Sequence, residues 1–306
     1  MISGILPEHE VNAAKAKAIY QENIAKESPQ DLLADWHFAV RKARRSVASA
    51  LRESAFLVDV PAALEKNCAH SLVFRHLMAP PVSQDQFKLR CPQWSKTAES
   101  KSKPAKATAA HAAGQVILER LDWGLARWVR LDAPPSREDL RTILKVTAAL
   151  IAQQQVATAR RTRLAFEQEY AVTHLLSDNG WMKLPSKLID KRAAVPPKHF
   201  MHKTRFSTKT RPQEVDIACG LNGTYVLAME CKVTNDETNS VKRINDVLKK
   251  AAAWQSHWGS FVVAAALLEG VVAPKDVQRL TDSNVEVFWS HLLDEFLAWL
   301  TRRVSS

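Results

Sequence analysis

Residues 214–236 read EVDIACGLNGTYVLAMECKVTND, and this stretch decides the fold. Both halves are rich in β-branched, aromatic and other apolar residues that favour extended backbone. Asn222-Gly223, between the two halves, is a strong signal for a tight turn. We therefore predict a β-hairpin whose two strands run side by side.

Three charged side chains interrupt the apolar character of this hairpin. Glu230 and Lys232 are two residues apart on the second strand, so their side chains leave the same face. A two-residue turn at Asn222-Gly223 would pair Asp216 with Met229, one residue out of register from Glu230. A three-residue loop or a bulge would instead place Asp216 opposite Glu230. The three side chains share a face only with the second geometry.

These residue types indicate a metal-dependent hydrolase. Two carboxylates a few ångströms apart repel each other unless a hard cation lies between them, and Mg²⁺ is the natural occupant. The metal can acidify its bound water and polarise a phosphate oxygen, while Lys232 can orient or help deprotonate that water and offset the developing charge. We therefore expect Asp216 and Glu230 to be metal ligands in phosphodiester hydrolysis. The alternative is an exposed cross-strand charge cluster on a half-solvated sheet.

The segments on either side of the hairpin complete an αβββαβ order. Downstream, the apolar spacing predicts a helix over residues 240–254, a buried strand over 261–268 and a further strand over 285–289, before an amphipathic C-terminal helix. Upstream, a helical run over 162–177 ends at Gly180, which suits a left-handed cap. A first strand must lie somewhere in the intervening residues, which are otherwise irregular and basic. This order predicts an α+β fold with a mixed central sheet flanked by helices.

The N-terminal part of the chain differs from the rest in its predicted secondary structure. Residues 1–135 are expected to form a largely helical, basic N-terminal region that helps to embrace DNA or to dimerise, ahead of a catalytic domain over 136–306, where Ser136 is the predicted N-cap of a helix. Within the front part, residues 36–56 have a helical apolar stripe and a basic remainder, which is typical either of a solvated helix or of one that contacts phosphates. Residues 96–113 resemble a mobile basic loop or linker.

Net charge and composition limit the classes of molecule that the protein is expected to bind. Lys and Arg total 43 against 32 Asp and Glu, a formal charge of +11, which favours a polyanion and most simply nucleic acid. The four cysteines form no CxxC pair, so a disulfide framework is not indicated. The first residues lack the pattern of a signal peptide, and no window approaches the roughly 18 apolar residues of a membrane span. We expect a soluble, cytoplasmic protein without a membrane partner.

Residues from about 160 to 300 resemble the core of PD-(D/E)XK nucleases. The resemblance to type II restriction endonucleases of the XamI type is specific in five runs and vague over the first 130 residues. The runs are LPSKLID (184–190), VPPKHFMHKTRF (195–206), QEVDIACG (213–220), MECKVTNDETNSVKRINDVLKKA (229–251) and VFWSHLL (287–293). Val215 stands where the family usually has the Pro before its first Asp.

The resemblance implies a Mg²⁺-dependent endonuclease, with Mn²⁺ as a substitute, that cuts both strands of DNA at a short palindrome and leaves 5'-phosphate ends. It also implies a homodimer and a cognate DNA methyltransferase in the same system. By motif, Asp216 and Glu230 correspond to the metal ligands and Lys232 to the catalytic lysine. Many such nucleases add a Glu from the preceding helix; Glu167 and Glu169 both compete, and Glu167 matches the usual placement better.

Candidate DNA contacts flank this motif on both sides. Cationic and amide side chains there could read base edges or hold phosphates, or could be solvated loop and capping groups. The candidates are Lys198, His199, His202, Lys203, Arg205, Asn235, Asn239, Lys242, Arg243 and Asn245.

Two other functions fit part of the pattern. A structure-specific repair or junction nuclease would use the same chemistry with a different target. A non-catalytic DNA-binding protein would keep the charge and the fold without cleavage, although the complete set of Asp, Glu and Lys argues against it.

Overall fold

The quoted stretch forms two antiparallel strands within a seven-stranded sheet in the computed structural model, which describes residues 5–305. The strands are β1 (Met182–Lys183), β2 (Leu188–Ile189), β3 (His199–Phe206), β4 (Gln213–Gly220), β5 (Val226–Thr234), β6 (Val262–Gly270) and β7 (Glu286–Trp289). Strands β3, β4 and β5 pair antiparallel, whereas β5, β6 and β7 pair parallel. Both β1 and β2 pair parallel with β3. The expected mixed central sheet is confirmed.

Helices account for most of the other described residues. They are α1 (Pro7–Ala25), α2 (Pro29–Glu53), α3 (Val60–Lys66), α4 (Ser71–His76), α5 (Gln84–Arg90), α6 (Ala107–Leu118), α7 (Arg127–Arg130), α8 (Arg137–Asp178), α9 (Glu237–Trp258), α10 (Pro274–Asp282) and α11 (Leu293–Ser305). None of the helices within residues 5–305 combines the length and the low polarity that a bilayer span requires.

The chain divides into two compact units. The divisions lie between residues 27 and 28 and between residues 159 and 160, rather than at the expected boundary between residues 135 and 136. One unit contains residues 28–159; the other, called here the sheet unit, contains the described residues up to 27 and from 160 onward. Helix α8 begins at Arg137, directly after the expected boundary, and continues to Asp178, because its sequence contains neither Gly nor Pro. The helix expected after Ser136 and the helical run expected over 162–177 are therefore one helix, which Ser136 caps as predicted by accepting a hydrogen bond from the Asp139 N–H (3.1 Å).

The sheet unit has a core on each face of its sheet. Helices α1, α9 and α10 cover one face, with Trp254 of α9 fully buried. The part of α8 that follows residue 160 and helix α11 cover the other face, with Phe296 of α11 fully buried. Helix α1 joins this unit through Ala13 and Ala16. The site described below lies at the sheet, between these two layers.

The segment 181–212 is more ordered than its sequence suggested. It contains β1, β2 and β3, and β3 is the missing first strand of the core. Phe200 of β3 points to the α8 face and Met201 to the α9 face, so β3 is buried on both sides there. Its cations Lys203 and Arg205 are exposed, which is why the composition resembles that of a loop.

The unit of residues 28–159 is helical, as expected for this part of the chain. Val47 and Leu51 of α2 are buried in its core. The segment 96–113 is a loop only in its first part, since α6 begins at Ala107. Ala110 and Ala113 are buried, because alanine both favours helix and fits closely packed neighbours.

Candidate active site

The hairpin loop has the longer of the two geometries considered. Leu221 N–H donates to Tyr225 O (2.9 Å), so the loop proper consists of three residues, 222–224. Gly223 in this loop has a φ of +63°, a conformation that glycine adopts without strain. The register pairs Ile217 with Met229, which puts Asp216 level with Glu230.

Strands β4 and β5 separate at the point where these two carboxylates lie. Their pairing ends at Ile217 and Met229. Beyond it, β4 continues to Gln213 against β3, while β5 continues to Thr234 against β6. The separation opens a gap between the two strands, called here the fork. Charged side chains occupy the fork; two strands that stayed paired would have left no room for them.

The fork brings the three predicted side chains together. Lys232 Nζ lies 2.6 Å from Glu230 Oε2 and 3.7 Å from Asp216 Oδ2. Asp216 Oδ2 also accepts a hydrogen bond from the Cys231 N–H (2.9 Å). A second ammonium, Lys250 Nζ of α9, lies 2.7 Å from Glu230 Oε2. The residues predicted from the hairpin thus form one cluster.

Burial and charge act in opposite directions on these groups. Burial disfavours ionisation of Asp216, but Lys232, the Cys231 N–H and Lys203 outweigh it and lower the pKa of Asp216. Glu230 has no exposed surface, and burial raises its pKa in spite of Lys232 and Lys250. Burial also works against the charge of Lys232, yet Glu230 and Asp216 raise its pKa. Asp216 is therefore ionised and Lys232 is protonated at neutral pH.

The donor set fits a magnesium ion. Glu230 Oε1 is buried and makes no hydrogen bond to any residue that the structure describes, so a carboxylate oxygen is available beside Asp216. Within residues 5–305, no group of three or more His, Cys, Asp or Glu side chains is placed to hold a metal on its own. Mg²⁺ commonly binds through one or two carboxylates and takes its other ligands from water and substrate phosphates. Asp216 and Glu230 meet that requirement.

Of the two competing glutamates of α8, the structure places Glu169 in the cluster, whereas Glu167, the preferred candidate from the sequence, lies outside it. Glu169 is buried, and its carboxylate accepts from His202 Nε2 (2.7 Å) and from Lys203 Nζ (2.5 Å), which also reaches Asp216 Oδ1 (2.9 Å). Glu167 is 57% exposed and lies 3.9 Å from Arg163. Two residues apart on an α-helix is about 200°, so only one of these carboxylates can face the sheet.

The candidate DNA contacts have several kinds of neighbours. His202 and Lys203 are bonded to Glu169 within the cluster, so their first partners are carboxylates. Asn245 accepts a hydrogen bond from Arg279 (2.6 Å), and Asn239 donates to Asn235 (3.3 Å) next to the start of α9.

The other five candidate contacts are partly or fully exposed. His199 is half-buried and its Nδ1 is 2.9 Å from Pro197 O. The remaining four candidates are exposed: Lys198, Arg205, Lys242 and Arg243.

Sequence reasoning missed Lys250 and ranked Glu169 behind Glu167, although a signal for each exists. Glu169 is three residues before Val172 and seven before Leu176, both fully buried, so it lies on the apolar stripe of α8. Lys250 follows the buried Val247 by three residues and therefore lies beside the stripe that packs on the sheet. A carboxylate or an ammonium on a buried stripe requires a partner, which is the signal for both residues.

Comparison with known proteins places the chain in a family. The family model described as XamI restriction endonuclease matches residues 56–289. The curated type II restriction enzyme XamI of Xanthomonas campestris pv. amaranthicola is 28% identical over 189 residues, which cover 61% of this chain and 66% of that enzyme.

A match to a solved structure is weaker than these sequence matches. The crystal structure of protein VC1899 from Vibrio cholerae is 12% identical and has a TM-score of 0.31, with 91% of this chain and 57% of that chain covered. That score is too low to relate the two folds. The sequence match spans the hairpin, the fork and the segment containing Glu169, and on this evidence the chain belongs to the XamI restriction endonuclease family.

Proposed function

We propose that the chain is a type II restriction endonuclease that hydrolyses DNA phosphodiester bonds with Mg²⁺, or with Mn²⁺ in its place. The observation that carries the proposal is the fork, where Asp216, Glu230 and Lys232 meet and Glu230 Oε1 lacks a hydrogen-bond partner among the described residues. Membership of the XamI family supports DNA as the substrate. Asp216 and Glu230 would hold the metal.

Each residue of the fork has a role that follows from its contacts. When bound, the metal supplies an acidified water and a Lewis acid for a phosphate oxygen. Lys232 is held between both carboxylates and its pKa is raised, so it acts as a cation that orients the attacking water and offsets charge on the phosphorane. Lys250 neutralises Glu230 on the side of α9. Glu169 positions Lys203 and His202 at the edge of the fork.

Cleavage of both strands at a short palindrome, which leaves 5'-phosphate ends, would require two such sites. A homodimer supplies them with matching symmetry, and the spacing of the half-sites then follows from the dimer. Lys198, Arg205, Lys242 and Arg243 are exposed and are our candidates for contact with the duplex. We also propose a cytoplasmic location and a cognate methyltransferase as a partner system.

One assay tests this function directly. The full chain is incubated with Mg²⁺ and a long unmethylated duplex, and the variants Glu230→Gln and Lys232→Met are compared with Glu167→Gln as a matched control on an exposed carboxylate. We expect discrete fragments from the parent and the control, and none from the two fork variants. Branch-dependent nicking would instead support a junction nuclease. Tight, salt-sensitive binding without cleavage would identify a non-catalytic DNA-binding protein.

A further inference from the structure

Lys203 bridges two carboxylates that come from different elements. Its Nζ lies 2.5 Å from Glu169 Oε1 of α8 and 2.9 Å from Asp216 Oδ1 of β4. Burial works against its charge, but the two carboxylates outweigh burial and raise its pKa, so Lys203 is a cation at neutral pH. One ammonium therefore occupies the space between a helix carboxylate and a strand carboxylate, where a cation with oxygen ligands would also fit.

The backbone places Lys203 there at a conformational cost. Its φ is +54°, a left-handed conformation that side chains other than glycine rarely adopt. Consecutive side chains of a regular strand point to opposite faces, yet His202 and Lys203 both reach the carboxylate of Glu169. The left-handed residue turns the second side chain toward the first. Strain of this kind persists where the surrounding structure imposes it, and it is concentrated at functional sites.

The cluster pairs equal numbers of acidic and cationic groups. Three carboxyl groups, Glu169, Asp216 and Glu230, lie against three ammonium groups, Lys203, Lys232 and Lys250. One Mg²⁺ would then be neutralised by the phosphodiester and an attacking hydroxide. A second Mg²⁺ in the place of the Lys203 ammonium would add one positive charge for which the cluster supplies no partner, and this is unfavourable beside the buried carboxylate of Glu169.

On the basis of the proposed nuclease function, we propose that the ammonium of Lys203 takes the place of a second divalent cation. Each chain then binds one metal, between Asp216 and Glu230. The position between Glu169 and Asp216 is reserved for Lys203. It becomes a metal site only when that ammonium is removed.

The test counts bound Mn²⁺ per chain by the loss of the free-ion paramagnetic resonance signal, without DNA. Parent, Lys203→Met and Lys203→Gly are compared; glycine retains the left-handed backbone, so at least one variant keeps the local fold, which the thermal transition verifies. Glu167→Gln is the control for exposed carboxylates. We expect one Mn²⁺ for the parent and the control, and two for both Lys203 variants. Combining Glu169→Gln with Lys203→Met should return the count to one.

Two results would overturn the proposal. Two Mn²⁺ in the parent would show that metal displaces Lys203, and one Mn²⁺ in both Lys203 variants would show that its position does not accept a divalent cation. Failure of the nuclease function gives a different pattern, in which the parent binds no Mn²⁺ at the fork and cuts no duplex. The Glu230→Gln variant locates the first ion, because it should reduce the parent count from one to none.

Discussion

Glu169→Gln should destabilise the sheet unit far more than Glu167→Gln, although the two residues are almost adjacent on α8. Glu169 accepts hydrogen bonds from His202 (2.7 Å) and Lys203 (2.5 Å), and its side chain is only 5% exposed. A hydrogen bond to a charged group contributes about 1.5–3 kcal/mol. Glutamine keeps one acceptor oxygen, and Lys203 is 56% exposed and can be rehydrated. We therefore expect a loss of about 2 kcal/mol rather than the larger penalty of a fully buried ion pair.

The measurement is the thermal unfolding midpoint by calorimetry at neutral pH. A loss of about 2 kcal/mol corresponds to a decrease of roughly 4–8 °C for a unit of this size. The control Glu167→Gln removes a carboxylate that is 57% exposed and 3.9 Å from Arg163, so its effect should stay within about 0.5 kcal/mol. An equal or larger decrease for Glu167→Gln would refute the assignment of Glu169 to the cluster.

Four further substitutions test other parts of the structure. Gly220→Ala should lower the unfolding midpoint strongly, because a Cβ there would lie 2.0 Å from Pro196 O. Gly223→Ala has open space around it and should cost only about 1–2 kcal/mol, because alanine disfavours the left-handed backbone. Similar midpoints for the two variants would contradict the close approach at Gly220. Lys242→Ala should reduce the slope of log binding constant against log salt by about one for duplex DNA, and an unchanged slope would remove Lys242 from the interface. Burial raises the pKa of Glu269, so ionisation of this carboxyl group destabilises the folded state at pH values above the ordinary pKa of glutamate. Glu269→Gln should therefore raise the unfolding midpoint at pH 7 but not at pH 4. A stabilisation that is the same at both pH values would exclude this cause.

The sequence alone determined the features that depend on neighbours along the chain. Residues that favour extended backbone on both sides of Asn222-Gly223 predicted the hairpin, and the spacing of Glu230 and Lys232 placed both on one face. The helical spacing in α9 and the cap at Ser136 were predicted for the same reason. These features are local, because the periods of strand and helix are properties of the backbone.

Tertiary structure decided which local features meet. The sequence allowed two loop lengths, and only the register of Ile217 with Met229 selected the one that puts Asp216 opposite Glu230. Helical periodicity separates Glu167 from Glu169 by about 200°, but which of them faces the sheet depends on how α8 packs. Lys203 enters the cluster through a left-handed backbone at +54°, a conformation that its residue type does not favour. Such choices depend on contacts between residues that are distant in the chain, and those contacts exist only once the sheet and its helices have packed.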